Sequence, residues 1–376
     1  MLSPGFPSRQ AHRTEEAPAA GGAPAAARVA SPPSRAPSRS KLPLVRRPAD
    51  NAQFLRRSVQ TAFLLLNLWI GAAFYLFVRH HETGGATLLV ARPPGVEGWL
   101  PIAALMNLKY TVLTGSLPET HVAGLLLLVG FLVISFFLRK AFCAWLCPVG
   151  TISEWLWLGG EAAFGRTWLP PRWIDIPLRS LKYVLLGLFG YAVASMSTAD
   201  IRAFLDGPYG TIADVKMLNF FRHLGQTAAI VIGALLLVSV VVKNAWCRYL
   251  CPYGALMGLA ALLSPLGIRR HANVCLDCAK CAKACPAALP VDRLARVASA
   301  ECTTCLLCVT ACPAAGALDL MAGRRRRVGP WTVAAAIGVV LFGVVGYGYA
   351  SGRWQAQAPD AVYRELIPRA GEFSHP

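Results

Sequence analysis

The chain has 376 residues, 55% of them hydrophobic and only 15% charged, with a formal net charge of +18 and a mean hydropathy of +0.47. Soluble domains carry roughly 45–50% apolar and ~25% charged residues, so this composition excludes an ordinary soluble globular protein and points to a membrane protein with a basic surplus.

In chain order, residues 1–50 are rich in Ala, Pro, Ser and Arg and hold no apolar run. They cannot bury a core and are expected to be a disordered cytoplasmic segment. They also lack the apolar region of a signal peptide, so the first helix is expected to act as an uncleaved anchor, and the sequence admits a start downstream of Met1. Five apolar segments approach the ~20 residues that span a ~30 Å hydrocarbon core: 59–78, 122–138, 178–197, 225–242 and 328–350. None carries the polar stripe of a soluble core helix. The fold class expected is mainly α: a polytopic helical membrane bundle of about five spans over 51–267 and 324–350, with a small α+β module at 268–323 and a short outer tail at 351–376. Two further segments, 151–164 (with Trp155 and Trp157) and 255–268 (broken at Ser264-Pro265), read as interfacial or re-entrant pieces.

Orientation follows from Lys and Arg in the flanks. Residues 1–58 hold ten basic and three acidic side chains, 139–182 six and three, and 243–327 twelve and four. The intervening loops and the tail each carry three of either sign. Five alternating helices place all three basic segments on one face, so the N-terminus is cytoplasmic and the C-terminus periplasmic, in a multi-pass protein of a bacterial inner membrane. The surplus charge reads as topogenic and lipid-facing, including the run Arg324–Arg327, and not as a nucleic-acid surface.

All twelve cysteines fall in motifs. Eight form two copies of C-x-x-C-x-x-C-x-x-x-C-P: Cys275, Cys278, Cys281, Cys285, and then Cys302, Cys305, Cys308, Cys312. That is the spacing of a bacterial ferredoxin with two [4Fe–4S] clusters, in which the fourth cysteine of each run usually ligates the other cluster. One cluster then takes Cys275, Cys278, Cys281 and Cys312, and the other Cys302, Cys305, Cys308 and Cys285. Disulfides or two zinc sites fit less well, because zinc sites pair Cys-x-x-Cys units across a longer loop. Such clusters need the reducing side of the membrane, which agrees with the basic-flank orientation.

The remaining four occur as Cys143-Ala-Trp-Leu-Cys147-Pro148 and Cys247-Arg-Tyr-Leu-Cys251-Pro252. The two sites differ by 104 in number and each follows an apolar run, which marks an internal duplication of a membrane hairpin. Spacing i, i+4 sets both sulfurs on one helical face, and the proline ends or bends that helix. Such pairs could bind a soft metal such as copper, bind a further cluster, or cycle between dithiol and disulfide; buried structural cysteines are the plainer alternative. Histidines stay at the outer ends: His80, His81, His121 and His223. No bis-His haem is readable within the spans. His121 and His223, before equivalent helices, are candidate proton acceptors on the quinol side, with interfacial polar residues as the plainer reading.

The duplicated C-x-x-x-C-P site followed by a double ferredoxin run resembles the membrane polyferredoxins that include NapH, NosR and CcoG. The resemblance covers roughly 59–327. It implies that the eight ferredoxin cysteines are cluster ligands, that Cys143, Cys147, Cys247 and Cys251 are the family's redox or metal sites, and that the chain exchanges electrons between the quinone pool and a periplasmic or membrane redox protein, as a quinol dehydrogenase subunit does. A copper reductase or metalloenzyme assembly factor of the CcoG kind is the alternative, and a sensor or anchor with structural clusters a third. Against that family, neither a large N-terminal domain like that of NosR nor a folded outer domain like that of CcoG is expected here, and a fifth helix is.

The topology has a direct test. Alkaline phosphatase fused after Gly371 should be active, and fused after Arg327 inactive; the reverse pattern would invert the placement of every cysteine.

Overall fold

The computed structural model describes residues 45–48, 50–355 and 358–374. Through residue 44, the segment expected to be disordered lies outside the described residues. Its last part does not: Arg46 bridges to Ala314, the Arg47 N–H donates to Pro313 O, and Val45 O accepts from the Ala315 N–H. Residues 45–47 are thus held along the ferredoxin module by backbone hydrogen bonds, which need no apolar side chains.

The first helix, α1 (Ala52–Glu82), is followed by a 3-10 turn (Pro94–Trp99), α2 (Pro101–Thr114) and α3 (Val122–Leu138). The first thiol pair lies at the junction of α4 (Ala141–Trp145) and α5 (Pro148–Phe164). Next come α6 (Arg172–Ser195), three short helices α7 (Thr198–Asp206), α8 (Pro208–Thr211) and α9 (Ala213–Arg222), and then α10 (Gln226–Val241). A π-helical turn (Trp246–Leu250) and α11 (Pro252–Leu262) carry the second pair. The module contains β1 (Leu266–Arg270), α12 (Lys280–Ala284), β2 (Arg296–Val297), α13 (Leu307–Thr310), β3 (Leu318–Ala322) and β4 (Arg326–Arg327), followed by α14 (Pro330–Ala350) and α15 (Asp360–Leu366). Its antiparallel sheet runs β2-β1-β3-β4, with Ile268 opposite both Val297 and Leu320.

Among the described residues three helices are long and apolar enough to cross a membrane: Ala52–Glu82, Trp173–Ser195 and Pro330–Ala350. Helices α9 and α10 reach that standard only together and meet at an 82° bend. At 17 residues, α3 is about 26 Å long, short of the hydrocarbon core. Of the five spans expected, length and composition therefore support three.

The segments that the sequence left as outer loops are largely helical. Lys109 of α2 donates to Val193, Ala194 and Met196 carbonyls at the end of α6. A capping box between Ser197 and Asp200 starts α7. Tyr363 and Leu366 of α15 pack with Phe74, Phe77 and Val78 near the end of α1, and the ring Nε2 of His81 lies 3.0 Å from Asp360.

The opposite helix ends converge on the module. Gln53 of α1 donates to Cys305 O, Arg139 at the end of α3 donates to Leu266 and Ser299 carbonyls, and Arg179 of α6 donates to Ala287 O. Between α1 and α5, the fully buried Arg56 grips Glu154 in a two-pronged ion pair, with Gln60 as a further donor at 3.0 Å. Helices α5 and α10 touch at Gly160, where a Cβ would stand 1.9 Å from Val240 O; small residues are what allow such close approach.

Because the attraction within a buried ion pair mainly offsets desolvation, its loss is felt through the partner left behind. Arg56→Met should destabilise by ~3–5 kcal/mol, and adding Glu154→Leu should recover most of that loss, as read by thermal unfolding in detergent.

Candidate redox centre

The two cysteine runs fold alike. In each, the second and fourth residues after the first cysteine adopt positive φ: Asp277 and Ala279 (54° each), and Thr304 (51°) and Leu306 (61°). Non-glycine residues rarely do so, and such strain gathers at functional loops. Backbone N–H groups turn to the sulfurs here, Thr304 to Cys302, Leu307 to Cys305 and Ala282 to Cys281, the kind of cradle that suits an anionic iron–sulfur centre.

Around these loops the eight thiols fall into two fours. Cys275, Cys278, Cys281 and Cys312 line one small cavity, together with Asp292 and Pro313. Cys285, Cys302, Cys305 and Cys308 line the second, with Ile268, Val291 and Val297. Each set draws three thiols from one run and one from the other. Every cysteine is a free thiol. Among the described residues no three His, Cys, Asp or Glu side chains stand at single-ion spacing. Thiolates on one zinc converge to about 2.3 Å from a point, whereas those on a cubane spread to its corners. Burial raises the thiols of Cys285 and Cys302, and carries Cys305 up to about 12 against the opposing charge of Arg56. Loading metal at such a site must expel those protons.

The two C-x-x-x-C-P pairs are also brought together. Cys143, Cys147, Cys247 and Cys251 all line a single cavity of about 740 Å³, close enough for charge on one to bear on the others. Each proline begins a new helix: Pro148 and Pro252 occupy the first position of α5 and α11, with Cys147 and Cys251 as extended N-cap residues. The Gly254 N–H donates to Cys251 Sγ at 3.2 Å, and the Gly150 and Val149 N–H groups act on the Cys147 sulfur. A smaller cavity lined by Cys143, Cys247, Glu301 and Cys305 joins this site to the second ferredoxin set. The large cavity is also lined by Phe131, Trp69, Phe342, Arg92, Trp354 and Gln355.

Arg92 opens onto a buried charge network. It pairs with Glu97 at 2.9 Å and Asp214 at 2.7 Å, and His121 Nδ1 lies 3.5 Å from Glu97. Burial opposes ionisation of Glu97, yet Arg92, His121 and the Gly124 N–H outweigh it and hold the carboxyl at about 2. His121 is buried, with Nε2 on Gly210 O at 2.8 Å, while His223 is exposed at the end of α9. Neither lines the large cavity, so His121 reaches it only through Glu97 and Arg92.

Sequence reasoning missed the cations. Arg56, Arg139, Lys140, Lys182 and Arg248 are all buried and so are not lipid-facing, which corrects part of the topogenic reading. Lys140 lies 3.8 Å from Glu301, which also binds Lys182, and its charge bears on Cys143, Cys247 and Cys251. Arg248 and Tyr249 bind Asp175 at 2.7 and 2.8 Å. Their signal was position: Arg139-Lys140 and Arg248 sit beside or between the thiols, where a residue count by segment assigns them to lipid.

Residues 120–170 and 224–270 each match the family described as "4Fe-4S binding domain", and residues 267–327 match "4Fe-4S dicluster domain". The "Putative electron transport protein YccM" of Escherichia coli (strain K12) is 48% identical over 331 residues, 86% of this chain and 93% of that protein. "Ferredoxin-type protein NapH" of the same strain is 26% identical over 233 residues, 60% of this chain and 72% of NapH. "Regulatory protein NosR" of Pseudomonas aeruginosa is 32% identical over 149 residues, 39% of this chain but 20% of NosR. No solved structure matches. The chain belongs to the NapH/NosR-type membrane polyferredoxins, iron–sulfur proteins of electron transfer.

The repeats are not equivalent at their glycines, and this can be measured. A Cβ at Gly150 would stand 2.3 Å from Cys143 O, whereas one at Gly254 meets nothing closer than 3.5 Å. Gly150→Ala should therefore disturb the four-thiol site, seen as altered metal content or thiol accessibility, and Gly254→Ala should be tolerated.

Proposed function

We propose that this chain carries electrons, one at a time, between the quinone pool of a bacterial cytoplasmic membrane and a periplasmic or membrane redox partner. The observation that carries the reading is continuity. The exposed Cys278 belongs to the first four-thiol set, the second set shares Cys305 with the small cavity that reaches Cys143 and Cys247, and these open into the large cavity.

In this reading Cys275, Cys278, Cys281 and Cys312 hold one [4Fe–4S] cluster, and Cys302, Cys305, Cys308 and Cys285 the other. The clusters supply reversible one-electron chemistry. Cys143, Cys147, Cys247 and Cys251 hold a further centre, a reading supported by the iron–sulfur family that matches both copies of the repeat. Buried Lys140 offsets the negative charge that four thiolates bring into an apolar bundle. The large cavity is apolar and within the roughly 300–1,000 Å³ range of small-molecule sites, which suits a quinone. Arg92 in its lining links it to Glu97, Asp214 and His121, a route by which a proton could leave on the outer side.

The topology proposed is five crossings with a duplicated hairpin, the module and the N-terminus cytoplasmic and the C-terminus periplasmic. Helix-end contacts support it. The starts of α1 and α6 and the end of α3 meet the module, while the end of α1 meets α15. The same four thiolates would also suit Cu(I), as a copper reductase requires, and stoichiometric copper with no quinol oxidation would favour that alternative.

Anaerobically purified protein should hold about eight irons per chain, or about twelve if the repeated pairs bind a cluster, by four thiolates per cluster. Zinc without iron would refute the assignment. Changing Cys143, Cys147, Cys247 or Cys251 to Ser should each cut electron delivery in membranes sharply, while the eight irons of the ferredoxin module remain. The double variant Cys143→Ser/Cys247→Ser should be no worse than either single one, as residues acting as a unit behave. Full activity and unchanged metal in both singles would make the pairs structural.

A further inference from the structure

Arg139 ends α3 with φ 59° and ψ −157°, a conformation that essentially only glycine adopts without strain. An arginine held there is explained by its side chain. That side chain is fully buried. Its Nη1 donates to Leu266 O and its Nη2 to Ser299 O, both at 2.9 Å, while its backbone N–H donates to Ser264 Oγ at 3.2 Å. Nε remains, and among the described residues it has no hydrogen-bond partner. A buried N–H without a partner calls for an explanation, an ion or group at the site being one. The thiol beside this guanidinium is Cys302 of the second four-thiol set.

We propose that Arg139 is a positioning residue for the second cluster, giving a charge-assisted hydrogen bond from Nε–H to the sulfur of Cys302 or the sulfide beside it, and so raising that centre's reduction potential. The proposal rests on the cluster assignment above. Reduction adds one negative charge to the centre, so a fixed cation and an N–H on sulfur favour the reduced form. At the first site Arg47 bears on Cys312, and its Nε is also buried without a partner among the described residues, but its guanidinium lies 3.6 Å from the carboxylate of Asp319, which offsets its charge. The fork of Arg139 meets neutral carbonyls instead, so the two sites differ in the uncompensated charge beside them.

The test is a redox titration followed by electron paramagnetic resonance on the full-length, anaerobically purified protein, with iron content measured alongside. The second centre is identified as the signal that Cys302→Ser alters. Arg139→Gln, which removes the charge, should keep its iron and shift the second centre to lower potential, leaving the first unmoved. Arg139→Lys, which keeps the charge but loses Nε–H and the fork, should shift it less in the same direction. Full iron with an unmoved second potential in Arg139→Gln overturns the proposal and leaves Arg139 a structural tie. If Arg139→Gln fails to fold, Arg139→Lys decides alone, and a wild-type potential there overturns it. Wild-type protein without iron at these cysteines refutes the cluster assignment instead.

Discussion

Six basic side chains, Arg56, Arg139, Lys140, Lys182, Lys243 and Arg248, are buried where the helical bundle meets the ferredoxin module, and a low-dielectric interior does not tolerate them unpaired. Arg56 is answered by Glu154, Arg248 by Asp175, and Lys140 and Lys182 by Glu301. Two of these ties cross the junction itself: Glu301 belongs to the module, and Arg139 has no carboxylate and relies on module carbonyls. Trp145 of the first thiol pair's helix donates to Thr304 O, and the Thr304 hydroxyl donates to Leu138 O at the end of α3, so both elements are tied to the Cys302–Cys305 loop. The bundle therefore cannot satisfy its inner end without the module docked, and docking fixes the spacing between the four-thiol site and the neighbouring cysteines. A relay needs that fixed spacing.

Much of this was legible in sequence because metal ligation is a spacing code. Cysteines at i, i+3, i+6 and i+10 fix a loop whatever the tertiary context, and the repeat at 104 residues places Cys143 and Cys247 in corresponding positions. Apolar runs likewise announce helices in lipid. The rotation of those helices was not legible. Counting Lys and Arg by segment treats Arg139 and Arg324 alike, yet one is fully buried and the other exposed. The outer segments misled for a related reason: Lys109 ties α2 to the end of α6, Asp214 ties α9 to Arg92, and His121 ties the start of α3 to Gly210 of α8, contacts far apart in sequence. The proline after each thiol pair was read as a helix end; it equally begins the next helix, since a missing N–H costs nothing at the first position.

Duplication supplied the four thiols, and divergence gave the two copies different work. In the first copy Arg139 and Trp145 bond the module near Cys302 and Lys140 bears on the repeated thiols; the second has Lys243-Asn244 at the positions of Arg139-Lys140, with Lys243 on Lys283 O and Arg248 bound to Asp175 of α6. Gly150 and Gly254 correspond in sequence, but only Gly150 is packed too tightly for a methyl group.

Of twelve thiols, Cys278 alone is exposed, while Cys281, Cys285 and Cys308 are buried. Tunnelling weakens steeply with distance, so a soluble protein handing over or collecting an electron gains most by docking at that rim. The same rim is the one most open to dioxygen, and the buried Cys281, Cys285 and Cys308 are the least open.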